Sequence, residues 1–312
     1  MKWKVIAMVL MLITAIMASG CAQNPQTNES NSNSNSDETI VIGSKLFQES
    51  YILAHMLSIL LEDNGYNTEV EQGLGGTFVN YEALKQGQID AYVEYSGTAY
   101  SQILKKPSPN NTWDPQMIYE ETKKGLMQED NVKIANRLGF ENAYAIAVDE
   151  DWAEAHNITK LSQLEGYASD MVVGTDPEFA TREDGLPRIK EVYGFEFKDY
   201  KQGAPSIMYQ SIKNDEVDAI SAYTTDTKNE KFGLRVLEDD KGALPPYDAI
   251  TLMTSDFASS HPDVMATLGQ LNNTIDQETM RNLNYQYDIE NKEAKDIARQ
   301  FLENRGLIEE NN

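Results

Sequence analysis

The sequence predicts an α/β protein built as two lobes. Three observations carry that expectation: strand-like and helix-like segments alternate along most of the chain, one helix–turn–strand unit occurs twice, and the last stretch reads as helices only. "ETIVIGSKLF" is a short apolar strand with a polar exit, and "SYILAHMLSILLEDNGY" has helical spacing with a stop at Gly65. "TEVEQGL" alternates as a strand does, "GGTFVNYEALKQGQ" restarts a helix after glycines, and "IDAYVEYSGT" is a strand again. Further on, "NAYAIAV", "DMVVGTD" and "VDAISAYTTD" read as strands separated by helical stretches such as Leu161–Gly166 and Leu186–Tyr193. This alternation predicts a mainly parallel sheet with helices on both faces. From His261 to Gly306 the pattern is helical throughout.

The repeated unit is "YEALKQGQIDAYVEYSGT", starting at Tyr81, and "YQSIKNDEVDAISAYTTDT", starting at Tyr209. At this offset Tyr81/Tyr209, Lys85/Lys213, Asp90/Asp218, Ala91/Ala219 and Tyr95/Tyr223 coincide. Each unit delivers a tyrosine at the carboxyl end of its strand, where ligands bind in open α/β sheets. Two lobes so built would place Tyr95 and Tyr223 on facing walls of a cleft.

The N-terminus reads differently. Met1–Gly20 has a charged start at Lys2 and Lys4 and an apolar run over Val5–Met17, the pattern of a secretory signal. It ends in "MASGC", which resembles a lipobox, with Cys21 as the lipidated residue of the mature chain. Cys21 is the only cysteine, so no intrachain disulfide can form. The following "AQNPQTNESNSNSNSDE" is polar and of low complexity, a flexible tether over residues 21–37. The folded part then begins near Glu38 and holds roughly 270 residues, enough for one large domain or two modest ones. The expected location is the outer face of the cell membrane, with the lipid as the membrane contact.

Charge narrows the partners. The chain has 26 Lys+Arg against 50 Asp+Glu, a net charge of −24, and loss of Lys2 and Lys4 with the signal takes it two lower, to −26. Such a surface repels nucleic acid. Catalytic signatures are also missing: His55, His156 and His261 are far apart, no His/Cys zinc spacing exists, and there is no G-x-S-x-G elbow, P-loop or dinucleotide fingerprint. No cofactor or metal is expected.

Binding is the stronger reading. Tyr95, Tyr144, Tyr223 and Tyr247 occupy strand ends or turns, and Tyr247 follows the rigid pair Pro245–Pro246. Converging ring faces suit a cation that cannot donate hydrogen bonds, such as a quaternary ammonium. At about 0.5–2 kcal/mol per ring, four rings give ~2–8 kcal/mol gross. Micromolar binding needs about 8 kcal/mol net, so a second anchor is expected. Lys45, Thr98 and Arg182 are the candidates, since Lys and Arg make charge-assisted hydrogen bonds and a Gly-Thr helix start presents N–H groups to an anion. Each has an ordinary alternative: Lys45 as a surface lysine, Thr98 as a helix cap, and Arg182 paired with Glu183 or Asp184.

These residues sit in a familiar series. "IGSKLFQESYILAHMLSILLEDNGY", "GLGGT", "GQIDAYVEYSGT", "NAYAIAV", "EFATREDG", "VDAISAYTTD" and "LEDDKGALPPY" follow one another as in a known family. Over Glu38–Gly306 the chain resembles the glycine betaine/carnitine/choline-binding lipoproteins of osmoprotectant ABC transporters (the ProX/OpuC type). The resemblance implies a two-lobed periplasmic-binding-protein fold, type II-like, with two crossover hinges. Lobe 1 would be residues 38–141 plus 249–312, and lobe 2 residues 142–248. It implies that Tyr95, Tyr144, Tyr223 and Tyr247 cage the ammonium and that Lys45, Thr98 and Arg182 grip a betaine carboxylate. Gln48 is a further possible cleft residue. Some family members place an acid near the cage; here the position two before Tyr144 is the neutral Asn142.

The expected function is capture of glycine betaine or a related quaternary-ammonium solute for an ABC importer, with permease and ATPase on separate chains. A choline, carnitine or other small-solute binder is the alternative. Choline ranks below a betaine because it lacks the carboxylate that would use Lys45 and Arg182 together. A periplasmic enzyme on the same fold ranks last. Cys21→Ala is expected to leave the membrane fraction on lysis while keeping its ligand competence, because the tether and not the fold would carry the lipid; fractionation of lysed cells reads this directly.

Overall fold

Ile40 and Ile42 are buried while Thr39 faces solvent, and this short strand belongs to the first of two five-stranded sheets. The structure, a computed structural model, describes residues 38–109 and 113–309. The signal, Cys21 and the Asn/Ser tether lie outside the described residues. No helix among the described residues is long and apolar enough to cross a membrane.

The first sheet contains β1 (Thr39–Gly43), β2 (Asn67–Glu71), β3 (Ala91–Tyr95), β4 (Val132–Glu141) and β10 (Asp248–Thr254), in the order β2-β1-β3-β10-β4. The second contains β5 (Tyr144–Asp149), β6 (Val172–Thr175), β7 (Asp199–Gln202), β8 (Ala219–Tyr223) and β9 (Leu234–Val236), in the order β7-β6-β8-β5-β9. Lobe 1, around the first sheet, is thus made of two chain segments, and lobe 2 of the segment between them. Lobe 1 is completed by the helix Gln48–Asp63, whose apolar residues are almost all buried, and by Gln277–Asp288 and Ala294–Asn304 packed against it.

The sheets are mixed rather than mainly parallel. β1 pairs in parallel with β2 and β3, and β6 with β7 and β8, but β10 and β5 run antiparallel to both of their neighbours. The cause is connectivity. β3 and β8 end at the cleft, whereas β5 and β10 start there, directly after the chain has crossed from the other lobe, so they must run away from it.

The sequence repeat has a structural cause. β3 and β8 are the central strands of their sheets, and Tyr95 and Tyr223 are their last residues. The repeated aspartates do one job twice. The Val41 N–H donates to Asp90 Oδ2 at 2.8 Å, and the Val172 N–H donates to Asp218 Oδ2 at 2.7 Å. In return the Asp90 and Asp218 N–H groups donate to the carbonyls of Val41 and Val172. Each aspartate therefore pins the start of its strand to the neighbouring parallel strand, β1 in one sheet and β6 in the other, which fixes where the terminal tyrosine emerges.

The two crossovers lie side by side. The Asn142 N–H donates to the Tyr247 carbonyl at 3.0 Å, and Ser96 Oγ accepts from the Asp248 N–H at 3.0 Å. Gly97 lets the second crossover approach. A Cβ there would lie 2.4 Å from the Pro246 carbonyl oxygen and 3.0 Å from a Tyr247 ring carbon. Backbone cannot yield as a flexible side chain can, so Gly97→Ala is expected to lower stability by about 1–3 kcal/mol. Gly269→Ala, whose Cβ would meet nothing within 4 Å, is expected to be neutral or slightly stabilising. Urea unfolding of the two variants makes the comparison.

Candidate functional site

Beyond the ends of β3 and β8 lies a cavity of about 150 Å³. Its wall includes Tyr95, Tyr144, Tyr223 and Tyr247, together with Lys45, Thr98, Arg182 and Asn142. Gln48 lies one step away, on an adjoining cavity of about 100 Å³. The topology explains the convergence of the rings. Tyr144 opens β5 and stands directly opposite Tyr223 in the antiparallel pair, so their ring centroids are 5.0 Å apart. Tyr247 immediately precedes β10, whose Ala249 pairs with Tyr95, and its ring meets Tyr144 edge-on at 5.8 Å. Burial pushes all four phenols up from their ordinary values, so the rings stand neutral.

A fifth ring was not anticipated. Phe47 lies parallel to Tyr223 at 6.2 Å and stacks on Tyr95 at 6.3 Å, on the same wall. Its only mark in the sequence is its place just after the first strand.

The two cations are held in place by carboxylates. Lys45 Nζ is ion-paired with Glu94 and donates to Thr77 Oγ1 at 3.1 Å; it also lies 5.3 Å from the Tyr95 ring centre. Arg182 makes a two-pronged contact with Asp184, Nε to Oδ1 at 2.6 Å and Nη2 to Oδ2 at 2.7 Å. Its Nη2 also donates to Thr98 Oγ1 across the cleft at 3.2 Å. The guanidinium carbon lies 5.1 Å from the Tyr144 ring and 5.8 Å from the Tyr247 ring. The pairing with Asp184 that the sequence offered as Arg182's alternative is therefore present, with Arg182 on the cavity wall and Asp184 behind it.

Two acids on the wall were missed. Asp176 follows β6 and caps the short helix Pro177–Thr181, its Oδ1 accepting from the Glu178 and Phe179 N–H groups at 2.9 and 3.0 Å. Burial pushes its carboxyl up, opposed by the Phe179 N–H. Glu178, exposed at one edge, reaches across to lobe 1, where its Oε1 accepts from the Thr77 N–H at 3.3 Å. The signal for both was "TDPEF", an Asp-Pro step at a strand end, which is a helix-start pattern.

Behind the wall, Glu49 joins Tyr95 to the crossover. Its Oε1 accepts from the Tyr95 hydroxyl at 2.6 Å and from Asn142 Nδ2 at 2.9 Å, and its Oε2 from Asn284 Nδ2 at 2.9 Å. Burial pushes the Glu49 carboxyl up, against these hydrogen bonds. Asn142 thus faces a carboxylate partner through its amide nitrogen.

Residues 38–304 match the family model described as the substrate-binding domain of ABC-type glycine betaine transport systems. The chain belongs to that family. This substrate-binding domain is 31% identical over 317 residues to the carnitine transport binding protein OpuCC of Listeria monocytogenes, covering the full length of both. It is 32% identical over 272 residues to the ergothioneine transport permease/ergothioneine binding protein EgtU of Helicobacter pylori, using 87% of this chain but spanning only 48% of that protein. Its structure resembles a crystal structure of a glycine betaine/carnitine/choline ABC transporter protein with a TM-score of 0.71 and 28% identity, covering 86% of this chain and 99% of that one. The two-lobed α/β architecture is that of the family.

Asp184 is the test of how this domain's site is held. Besides Arg182 it accepts from Ser101 Oγ at 2.6 Å, Gln102 Nε2 at 2.8 Å and the Tyr247 hydroxyl at 3.2 Å. Asp184→Ala leaves a buried guanidinium without its counter-ion, so a loss of about 3–5 kcal/mol is expected in chemical denaturation.

Proposed function

We propose that the domain captures glycine betaine or a related quaternary-ammonium solute between its lobes and delivers it to an ABC importer. The observation that carries this reading is the ring set. Phe47 and Tyr95 from lobe 1, Tyr144 and Tyr223 from lobe 2, and Tyr247 from the crossover line one cavity of about 150 Å³. A trimethylammonium group has no hydrogen to donate, so ring faces and desolvation are its means of recognition. At the other end, a betaine carboxylate would meet Thr98, the remaining proton of Lys45 and the Arg182 Nη1 group. A wall contributed by both lobes gives a ligand more contact when they are together, which is the differential affinity that closure requires.

In this reading residues 38–141 plus 249–312 act as one lobe and 142–248 as the other. The permease and ATPase are separate chains, and Cys21 carries the lipid that keeps the domain at the outer membrane face. The role is binding and not catalysis; the relatives' names, OpuCC's above all, are those of transport binding proteins.

Calorimetric titration tests the cage. The unaltered domain is expected to bind glycine betaine, and Tyr223→Ala to weaken it by roughly five- to thirty-fold, from about 1–2 kcal/mol for one desolvated ring face at ~1.4 kcal/mol per tenfold. Unchanged affinity in Tyr223→Ala would remove the cage, and no binding of any trimethylammonium compound by the unaltered domain would remove the proposal.

A further inference from the structure

The cavity wall carries two cations, Lys45 and Arg182, and two acids, Asp176 and Glu178. Both cations are already neutralised by carboxylates behind them, Glu94 and Asp184. The acids are not. Among the described residues neither Asp176 nor Glu178 has a Lys, Arg or His within ion-pairing distance, and of the two only Asp176 is buried, at 6% exposure. Its Oδ1 is taken by the two helix N–H groups, but among the described residues the sole hydrogen bond to Oδ2 is the long one from the Tyr223 hydroxyl, at 3.4 Å. The Arg182 guanidinium acts on Asp176 only from beyond ion-pairing distance, and a buried carboxylate without an ion-pair partner is costly in a low-dielectric setting. This one stands beside an aromatic wall suited to a cation that cannot hydrogen-bond.

We propose that Asp176 is the counter-charge for the ligand's ammonium and is the residue that admits net-cationic, choline-class ligands alongside zwitterionic betaines. This rests on the quaternary-ammonium reading above and adds a rank order to it. With Lys45–Glu94 and Arg182–Asp184 each summing to zero, Asp176 and Glu178 leave the wall net negative. A ligand with a single positive charge gains the full attraction of Asp176. A betaine gains the same attraction at its ammonium but loses part of it to repulsion of its own carboxylate a few ångströms away, since Coulomb energy falls only as the inverse of distance. Asp176 therefore matters more to choline than to glycine betaine.

Asp176→Asn isolates the charge, because Asn caps a helix as well as Asp does and keeps the Oδ1 acceptor. The probes are choline, its uncharged isostere 3,3-dimethyl-1-butanol, and glycine betaine, titrated against both proteins, with thermal unfolding as the check on folding. Pairing a charge removed from the ligand with a charge removed from the protein gives a double-difference that packing changes do not enter. The expected result is that Asp176→Asn weakens choline at least tenfold, shrinks the preference for choline over dimethylbutanol by a similar factor, and costs glycine betaine less than choline. An unchanged choline-to-dimethylbutanol ratio, equal losses for choline and betaine, or no choline binding by the unaltered domain would each overturn the inference while leaving the betaine reading standing. Failure of the unaltered domain to bind either choline or glycine betaine would instead overturn both. Should Asp176→Asn not fold, Asp176→Ser retains a capping oxygen and serves the same titrations.

Discussion

Five donor groups from three parts of the chain converge on the carboxylate of Asp184, and the geometry of the cleft depends on that convergence. Arg182 supplies two, from the same lobe-2 loop; Ser101 and Gln102 supply one each from lobe 1; and Tyr247 supplies one from the crossover. A buried carboxylate is tolerable only when its lone pairs are filled, and two of the donors that fill these come from the chain segment that carries the first sheet. The same cluster sets Arg182 against Tyr144 and Tyr247 and brings it to Thr98. Charge, ring and hydroxyl are thereby fixed relative to one another by contacts within the protein itself.

Around that cluster the cleft is bridged at its edges by weaker pairs. Lys228 meets Asp288 at 2.5 Å, Arg281 meets Glu230, and Asn284 donates to the Thr225 carbonyl at 3.1 Å. The exposed pair contributes little, as such pairs do in water. Glu49 contributes differently. By accepting from Tyr95, Asn142 and Asn284 at once, it makes the position of the Tyr95 ring depend on a crossover residue and on a C-terminal helix.

Much of this was legible in the sequence because it repeats or because it breaks a pattern. A tyrosine that ends an apolar strand is conspicuous, and its duplication 128 residues later (Tyr95 and Tyr223) pointed to the two central strands. The C-terminal helices announced themselves by spacing. The antiparallel course of β5 and β10 was not visible, since strand direction follows from which lobe the chain has just left and not from local composition. β4 reads "VKIANRLGFE", with charged and amide side chains along it, and its alternation is clear only once one face is known to be covered. Phe47 and Asp176 escaped because each has a complete local explanation: an apolar residue before a helix, and a helix cap. Their place on the cavity wall comes from what the other lobe brings to them. Arg182 shows the reverse, since the ordinary explanation, a pair with Asp184, and its place in the cavity wall hold together.

The interruption of lobe 1 by lobe 2 has a consequence for biosynthesis. β10 lies between β3 and β4, yet it is made more than a hundred residues after the end of β4, so the first sheet keeps an open slot flanked by two unpaired strand edges while residues 142–247 emerge. Unpaired edges recruit other strands, and pairings of high sequence separation form slowly. The continuous middle segment can finish its own sheet first, because every strand of it is local. The chain's vulnerable interval in the envelope is therefore the time before Asp248–Thr254 threads into that slot, and the success of maturation is decided by a seven-residue strand arriving late.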